Sequence, residues 1–313
     1  MDLKLELKKA KRKEWRRKIA IALGGWLIMA PGLFLFAFFV WYPLGANIVM
    51  SFFKPDGLWG YDNFVGFQNF IDVFKDEQFI QALQNTGMYV LLSLVIGFIL
   101  PLIIGLLLSE VVHGKAILRI LIYFPAILSG MAVVIMWSYI LDPNQHSMLN
   151  QILGLFGISP STFTHDPNLA KVLIILTMTW KGAGSTALIY LSAIQNIDQA
   201  QYEAARLDGA GLGRRIWHIT LPNIAPTLST LFVLQIISVM QIFYEPMVMP
   251  GTNNSTLSLL LLAYNYNFVR YEPGKSAATS VILFILIMSL TLLYFGVERI
   301  FKGSFNRTAK GKN

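Results

Sequence analysis

Residues Glu203–Pro222 read EAARLDGAGLGRRIWHITLP, a charged, glycine-punctuated stretch set between two apolar runs. Ahead of it, Val172–Ile197 carries one charge, Lys181; from Ile216 to Tyr244 there is none. Crossing a hydrocarbon core of about 30 Å takes about 20 apolar helical residues. Each flank therefore holds one membrane span, and the stretch between is the loop joining them. Working outward, four more charge-free runs appear: Ile19–Phe53, Gln78–Ser109, Ile120–Leu141 and Ser276–Val297. A soluble domain carries roughly 25% charged residues; this chain of 313 carries 13%, with 55% hydrophobic residues and a mean hydropathy of +0.57. In lipid a helix satisfies its own backbone, and the alternating pattern of a closed barrel is missing here. The expectation is an all-α polytopic membrane protein with six transmembrane helices. They fall near Gly25–Val49, Asn85–Ser109, Leu118–Leu141, Leu169–Ala193, Thr227–Met249 and Ser276–Gly296. The first is too long for a cleavable signal peptide and no small-residue cleavage site follows it.

Cationic side chains set the orientation, because cytoplasmic loops carry the excess of Lys and Arg. The tail before the first span holds nine: Lys4, Lys8, Lys9, Lys11, Arg12, Lys13, Arg16, Arg17 and Lys18. On the same side lie Lys115, Arg119, Arg206, Arg214, Arg215, Arg299, Lys302, Arg307, Lys310 and Lys312. The opposite loops have Lys54, Lys75, Arg270 and Lys275, beside the acidic Asp56, Asp62, Asp72, Asp76 and Glu77. Both termini and the Glu203–Pro222 loop are thus expected to be cytoplasmic. The net charge of +8 reads as topology and attraction to anionic lipid, not as a nucleic-acid surface. No cysteine is present, which excludes disulfides, thiolate zinc sites and cysteine nucleophiles. The chain divides into a basic tail at 1–18, a six-helix domain at 19–301 with its loop at 199–222, and a C-terminal tail at 302–313.

Within the loop, Gln199–Leu207 favours helix through its Ala, Glu, Gln, Arg and Leu. Asp208-Gly209 ends that helix, since Asp bonds to nearby backbone and Gly tolerates positive φ. Gly211 and Gly213 keep the turn thin, Ile216, Trp217 and Ile219 return as an apolar strip, and Pro222 and Pro226 start the next span. A short helix, a thin turn and a rigid exit make a knob able to dock in a groove of a soluble partner. The competing reading is a solvated loop lying on the headgroups.

The spacing of Glu203-Ala204-Ala205, Asp208-Gly209-Ala210 and Ile219-Thr220-Leu221-Pro222 resembles the signature loop of the permease subunits of ATP-binding-cassette importers. Similar segments run from Pro31 to Phe301: Pro31-Gly32-Leu33, Gly66–Phe70, Phe124-Pro125 and Tyr190–Ile197. They resemble the carbohydrate-uptake, maltose-type branch, and its first permease subunit in particular. The resemblance implies that the knob is a coupling helix seated in a cleft of an ATPase subunit, where it turns nucleotide-driven closure into movement of the membrane helices. Glu203 would pair with the ATPase surface, Ala204 and Ala205 would supply small contacts, and Asp208, Gly209 and Ala210 the turn. It further implies a second, homologous permease subunit, two ATPase subunits that carry ATP and Mg, an extracellular substrate-binding protein, and a sugar or oligosaccharide as solute. This chain binds no cofactor or metal of its own in that reading, and is not an enzyme. Two segments depart from the pattern: Gly184-Ser185, where Pro-Phe is expected, and Pro250–Asn254, where many relatives have Gly-Gly-Pro.

Polar residues inside the spans are the remaining candidates. Lys181 lies midway along the fourth span, where a charge is costly and faces a cavity or a partner. It reads as a gate or pathway residue, or as a lysine satisfied by carbonyls or by a carboxylate of the partner subunit. On the fifth span Gln235, Ser238, Gln241 and Glu245 recur at helical spacing and share a face, with Tyr244 adjacent. Such a face lines a sugar path or glues two helices together. Trp180, Lys181, Ser238, Gln241 and Tyr244 are the pathway candidates. The run Leu257–Ala263 is too short to span and suits an interfacial or re-entrant piece. Gly274-Lys275-Ser276 lacks the spacing and strand of a phosphate-binding loop, and His113, His146, His165 and His218 are scattered. Other functions weighed are a permease for another polar solute such as a glycerol phosphate ester, an intramembrane enzyme, which needs clustered ionisable groups at one depth, and a scaffold without a pathway.

Overall fold

The computed structural model describes the backbone over residues 2–55, 63–111 and 113–310, and side-chain surroundings within 12–299. Of the charges counted above, Asp56, Asp62 and Lys312 lie outside the described residues. So do the side chains of Lys4, Lys8, Lys9, Lys11, Lys302, Arg307 and Lys310.

Among the described residues the regular secondary structure is helical, apart from one isolated bridge between Phe53 and Phe64. Five helical stretches are long and apolar enough to cross a membrane: Arg12–Met50, Glu77–Glu110, Pro167–Gln195, Ala225–Val248 and Pro273–Arg299. The remaining span is a bent pair, Lys115–Ile127 with Gly130–Ile140. All six apolar runs are thereby accounted for.

Two spans are not the straight helices expected. The third bends by 93°. Pro125 offers no N–H to the turn before it, and the helix ends two residues later. Leu128 (ψ 147) and Ser129 (ψ 133) are extended before Gly130 restarts the chain as helix. The fifth stops at Met240; Gln241 to Phe243 leave the helix, and a short helix follows over Tyr244–Val248.

The fourth span is the hub. Asp166 caps it, accepting from the amides of Asn168 (2.8 Å) and Leu169 (3.4 Å), and Pro167 takes the first helical position, where a missing N–H leaves nothing unpaired. Its most apolar window is 39% buried, whereas none of the first span's is. The first span packs against the rest through its Tyr42–Met50 end, which meets the sixth. At Gly184 the fourth span presses on the third so closely that a Cβ would collide with the carbonyl oxygen of Ile122. Small residues permit such backbone approach in membranes, which gives the departure at 184 a physical reason.

At the end remote from the Glu203 loop, the apolar run at 257–263 opens a helix, Leu259–Phe268. Leu259, Leu262 and Tyr266 are buried against the second and sixth spans. The piece is thus part of the packed core of the chain. The loop ahead of it is clamped by the second span. Gln81 donates to the Asn253 carbonyl (2.7 Å), Asn85 to those of Asn254 and Leu257 (both 3.0 Å), and Tyr89 to that of Thr256 (2.9 Å). Asn253 and Asn254 take left-handed backbone, φ 50 and 57, which asparagine tolerates better than most residues. That is the work done by the unusual Pro250–Asn254 sequence.

Candidate coupling knob and solute pathway

The knob begins where the fourth span ends. Asp198 caps a helix over Gln199–Leu207, its side chain accepting from the Ala200 amide at 3.0 Å. Asp208 closes it, its amide bonding to the Ala204 carbonyl at 3.0 Å, and Gly209 turns the chain at φ 73. These bounds are the ones the composition of the loop predicts. Beyond the turn the chain is more helical than expected: Leu212–Arg215 is α-helix and Ile216–Thr220 a π-turn, where an apolar strip was anticipated.

Two polar ties join the halves of the knob. The Tyr202 and Thr220 hydroxyls share a hydrogen bond of 2.9 Å, and Asn223 donates to the Gln201 side chain at 3.1 Å. Beneath them Tyr190, Ile194, Ile197 and Ile224 form a buried cluster, with Tyr202, Ile219 and Leu228 packed on it. The knob is thereby fixed to the ends of the fourth and fifth spans. At its tip Glu203, Ala204, Asp208 and Gly209 are exposed, while Ala205 and Ala210 are half-buried. Leu207 is 89% exposed and Trp217 71%. Sequence reasoning did not single out the exposure of either, although for Leu207 an apolar residue directly before Asp-Gly was a usable signal.

The expected polar stripe is not one continuous face. Because the fifth helix ends at Met240, Gln241 and Glu245 are displaced from the line of Gln235 and Ser238. Gln235 turns inward, its amide against Gly97 and beside Thr179. Gln235 and Ser238 line a cavity of about 160 Å³ between the second, fourth and fifth spans, together with Thr179, Ser185 and Thr186. Those fourth-span hydroxyls were legible as polar letters in an apolar run and were passed over. Gln241 and Tyr244 are exposed beyond the break, and the Tyr244 ring lies edge-on to Phe243 at 5.3 Å.

Trp180 lies edge-on to Trp137 of the bent third span, ring centres 5.7 Å apart. Lys181 is half-buried, with its ammonium over Gly130 just past the bend. Glu245 of this same chain lies within electrostatic reach of it. Among the described residues no carboxylate comes within ion-pair distance of Lys181, so the two attract at longer range without forming an ion pair. The Tyr244–Val248 helix packs on both the third and fourth spans. Trp180, Lys181 and the segment carrying Tyr244 thus meet around the third-span bend, and Ser238 lies nearer the 160 Å³ cavity.

Residues 97–303, from within the second span to beyond the sixth, match the family described as "Binding-protein-dependent transport system inner membrane component". The chain belongs to that family. It is an inner-membrane permease component, with several apolar spans and no strand among the described residues. The lactose transport system permease protein LacF of Rhizobium radiobacter is 31% identical over 88% of this chain and 95% of its own length. The multiple sugar-binding transport system permease protein MsmF of Streptococcus mutans is 29% identical over 91% and 99%. The sn-glycerol-3-phosphate transport system permease protein UgpA of Agrobacterium fabrum is 30% identical over 86% and 92%. Among solved structures, a bacterial ABC transporter involved in import of the acidic polysaccharide alginate superposes with a TM-score of 0.80 at 25% identity, covering 90% of this chain and 97% of that one.

Proposed function

We propose that this permease is a transmembrane subunit of an ATP-driven importer for a sugar or oligosaccharide, with both termini and the knob in the cytoplasm. The observation that carries the reading is the knob itself: an exposed tip of Glu203, Ala204, Leu207 and Asp208 on a base fixed to two spans. A fixed base converts a push at the tip into movement of the helices, where a solvated loop would absorb it. ATP and Mg then belong to two separate ATPase subunits, and a second homologous permease and an extracellular binding protein complete the assembly. A bacterial alginate ABC transporter of similar fold has been solved in complex with an alginate pentasaccharide-bound periplasmic protein.

Sugars offer hydroxyls and apolar ring faces, so their path needs neutral polar side chains and aromatics. Trp180, Ser238, Gln241 and Tyr244 supply that mixture. The likeness to UgpA keeps a glycerol phosphate ester as the second reading.

The test uses Glu203→Lys and Gly209→Val in the assembled transporter. Left-handed backbone costs a Cβ-bearing residue about 1–2 kcal/mol, so the valine deforms the turn. Both variants are expected to insert in the membrane at wild-type levels and to lose solute uptake together with solute-stimulated ATP hydrolysis. Wild-type uptake by both removes the knob from the mechanism.

A further inference from the structure

A second cavity, of about 340 Å³, lies behind the knob. Its wall is formed by Leu106, Ser109, Glu110 and Val111 at the end of the second span, Ile194 and Gln195 at the end of the fourth, Lys115, and the knob residues Tyr202, Arg206 and Arg215. It shares no lining residue with the 160 Å³ cavity beside Gln235 and Ser238. Three cations line it against one carboxylate, Glu110. Among the described residues no carboxylate comes within ion-pair distance of Lys115, Arg206 or Arg215. Arg215 also has a buried Nε–H with no acceptor, and a donor left so is rare in a finished structure.

We infer that this cavity binds the phosphate of an anionic phospholipid headgroup. Phosphate oxygens are strong acceptors suited to a guanidinium, and they answer both the net positive lining and the orphaned donor. Depth identifies the lipid as the source. Glu110 and Gln195 are the last residues of their spans, so the cavity opens at the level where headgroups lie. Leu106, Val111, Ile194 and Ile216 line its apolar share, which suits the root of the acyl chains. Anionic lipids are enriched on the cytoplasmic leaflet and attract nearby Lys and Arg. A headgroup held there touches Arg206 and Arg215 from behind, so lipid composition bears directly on the knob. The inference rests on the cytoplasmic placement of the knob in the reading above.

The experiment counts lipid rather than transport, so it succeeds or fails independently of the solute. The complete transporter is isolated from membranes containing phosphatidylglycerol, and retained lipid is measured by native mass spectrometry. Wild type is expected to hold phosphatidylglycerol more tightly than phosphatidylcholine, and Lys115→Gln with Arg215→Gln to weaken it by about fivefold for each charge removed. Arg215→Lys keeps the charge and is expected to retain most of the lipid, which separates loss of the site from loss of folding. Inorganic phosphate at millimolar concentration is expected to leave the lipid in place; complete displacement would make the site one for soluble anions and overturn the lipid assignment. Unchanged retention in the double variant overturns the site. Unchanged retention with loss of the ATPase subunits assigns the cations to docking instead.

Discussion

Asp76 shows how one residue organises the end of the molecule remote from the knob. Its side chain accepts from the Gln78 amide (2.9 Å), the Tyr266 hydroxyl (2.7 Å) and the Arg270 guanidinium (2.9 Å), and Arg270 bonds in turn to Gln78. Burial by itself pushes the carboxyl up; the Tyr266, Gln78 and Arg270 contacts outweigh it and hold it below its ordinary value of 3.8. The sign of the consequence is fixed by that direction. A depressed carboxyl stabilises the fold fully above the ordinary value, and the contribution fades as pH falls below 3.8 toward the folded value. Asp76→Asn should therefore lower thermal stability at pH 7, by about 1–3 kcal/mol for charge-assisted bonds, with the gap closing in acid below pH 3.8. Melting of both proteins in detergent across that range checks it; a gap independent of pH removes the carboxylate from the account. The sequence offered Asp76 as one acid of a loop. Two of its three partners, Tyr266 and Arg270, lie about 190 residues away in the chain, a distance at which no local pattern speaks.

At the scale of elements, what the sequence made legible followed from burial in lipid. Long charge-free runs give spans, and the caps Asp166 and Asp198 sit where short polar side chains precede helical composition. The breaks were not legible in the same way. Pro125 lies three residues before the third-span bend, but a proline in a membrane helix is also compatible with a mild kink. The break after Met240 lies one turn ahead of Pro246, which has no N–H to offer the Ile242 carbonyl; Ser258 donates to that carbonyl instead (2.7 Å). Since Gln235 points inward at Gly97 and Gln241 stands beyond the break, the two glutamines should behave differently. Gln241→Ala and Tyr244→Ala are expected to lower uptake severalfold or to change solute preference, with assembly intact. Gln235→Leu is expected to impair assembly or stability first. Transport assays paired with the yield of intact transporter distinguish them, and identical behaviour at 235 and 241 would restore the single stripe.

At the scale of the whole molecule, the third and fourth spans meet backbone to backbone at Gly184 and Ile122, and the knob is fixed to the far end of the same fourth span. Gly184→Ala overfills that crossing, a change that costs about 1–3 kcal/mol and is relieved by parting the two helices. The expected outcome is a transporter that assembles and hydrolyses ATP but releases more phosphate for each solute accumulated; a ratio equal to wild type would mean that the crossing is packing alone. The wider consequence concerns thermodynamic efficiency. A machine whose moving parts are compliant lets a hydrolysis cycle finish without its cargo, and the steepest gradient it can sustain falls accordingly. A seam with no side chain between two backbones leaves almost no slack. The ceiling on accumulation of a scarce nutrient is then set by a residue that touches neither the nutrient nor the nucleotide.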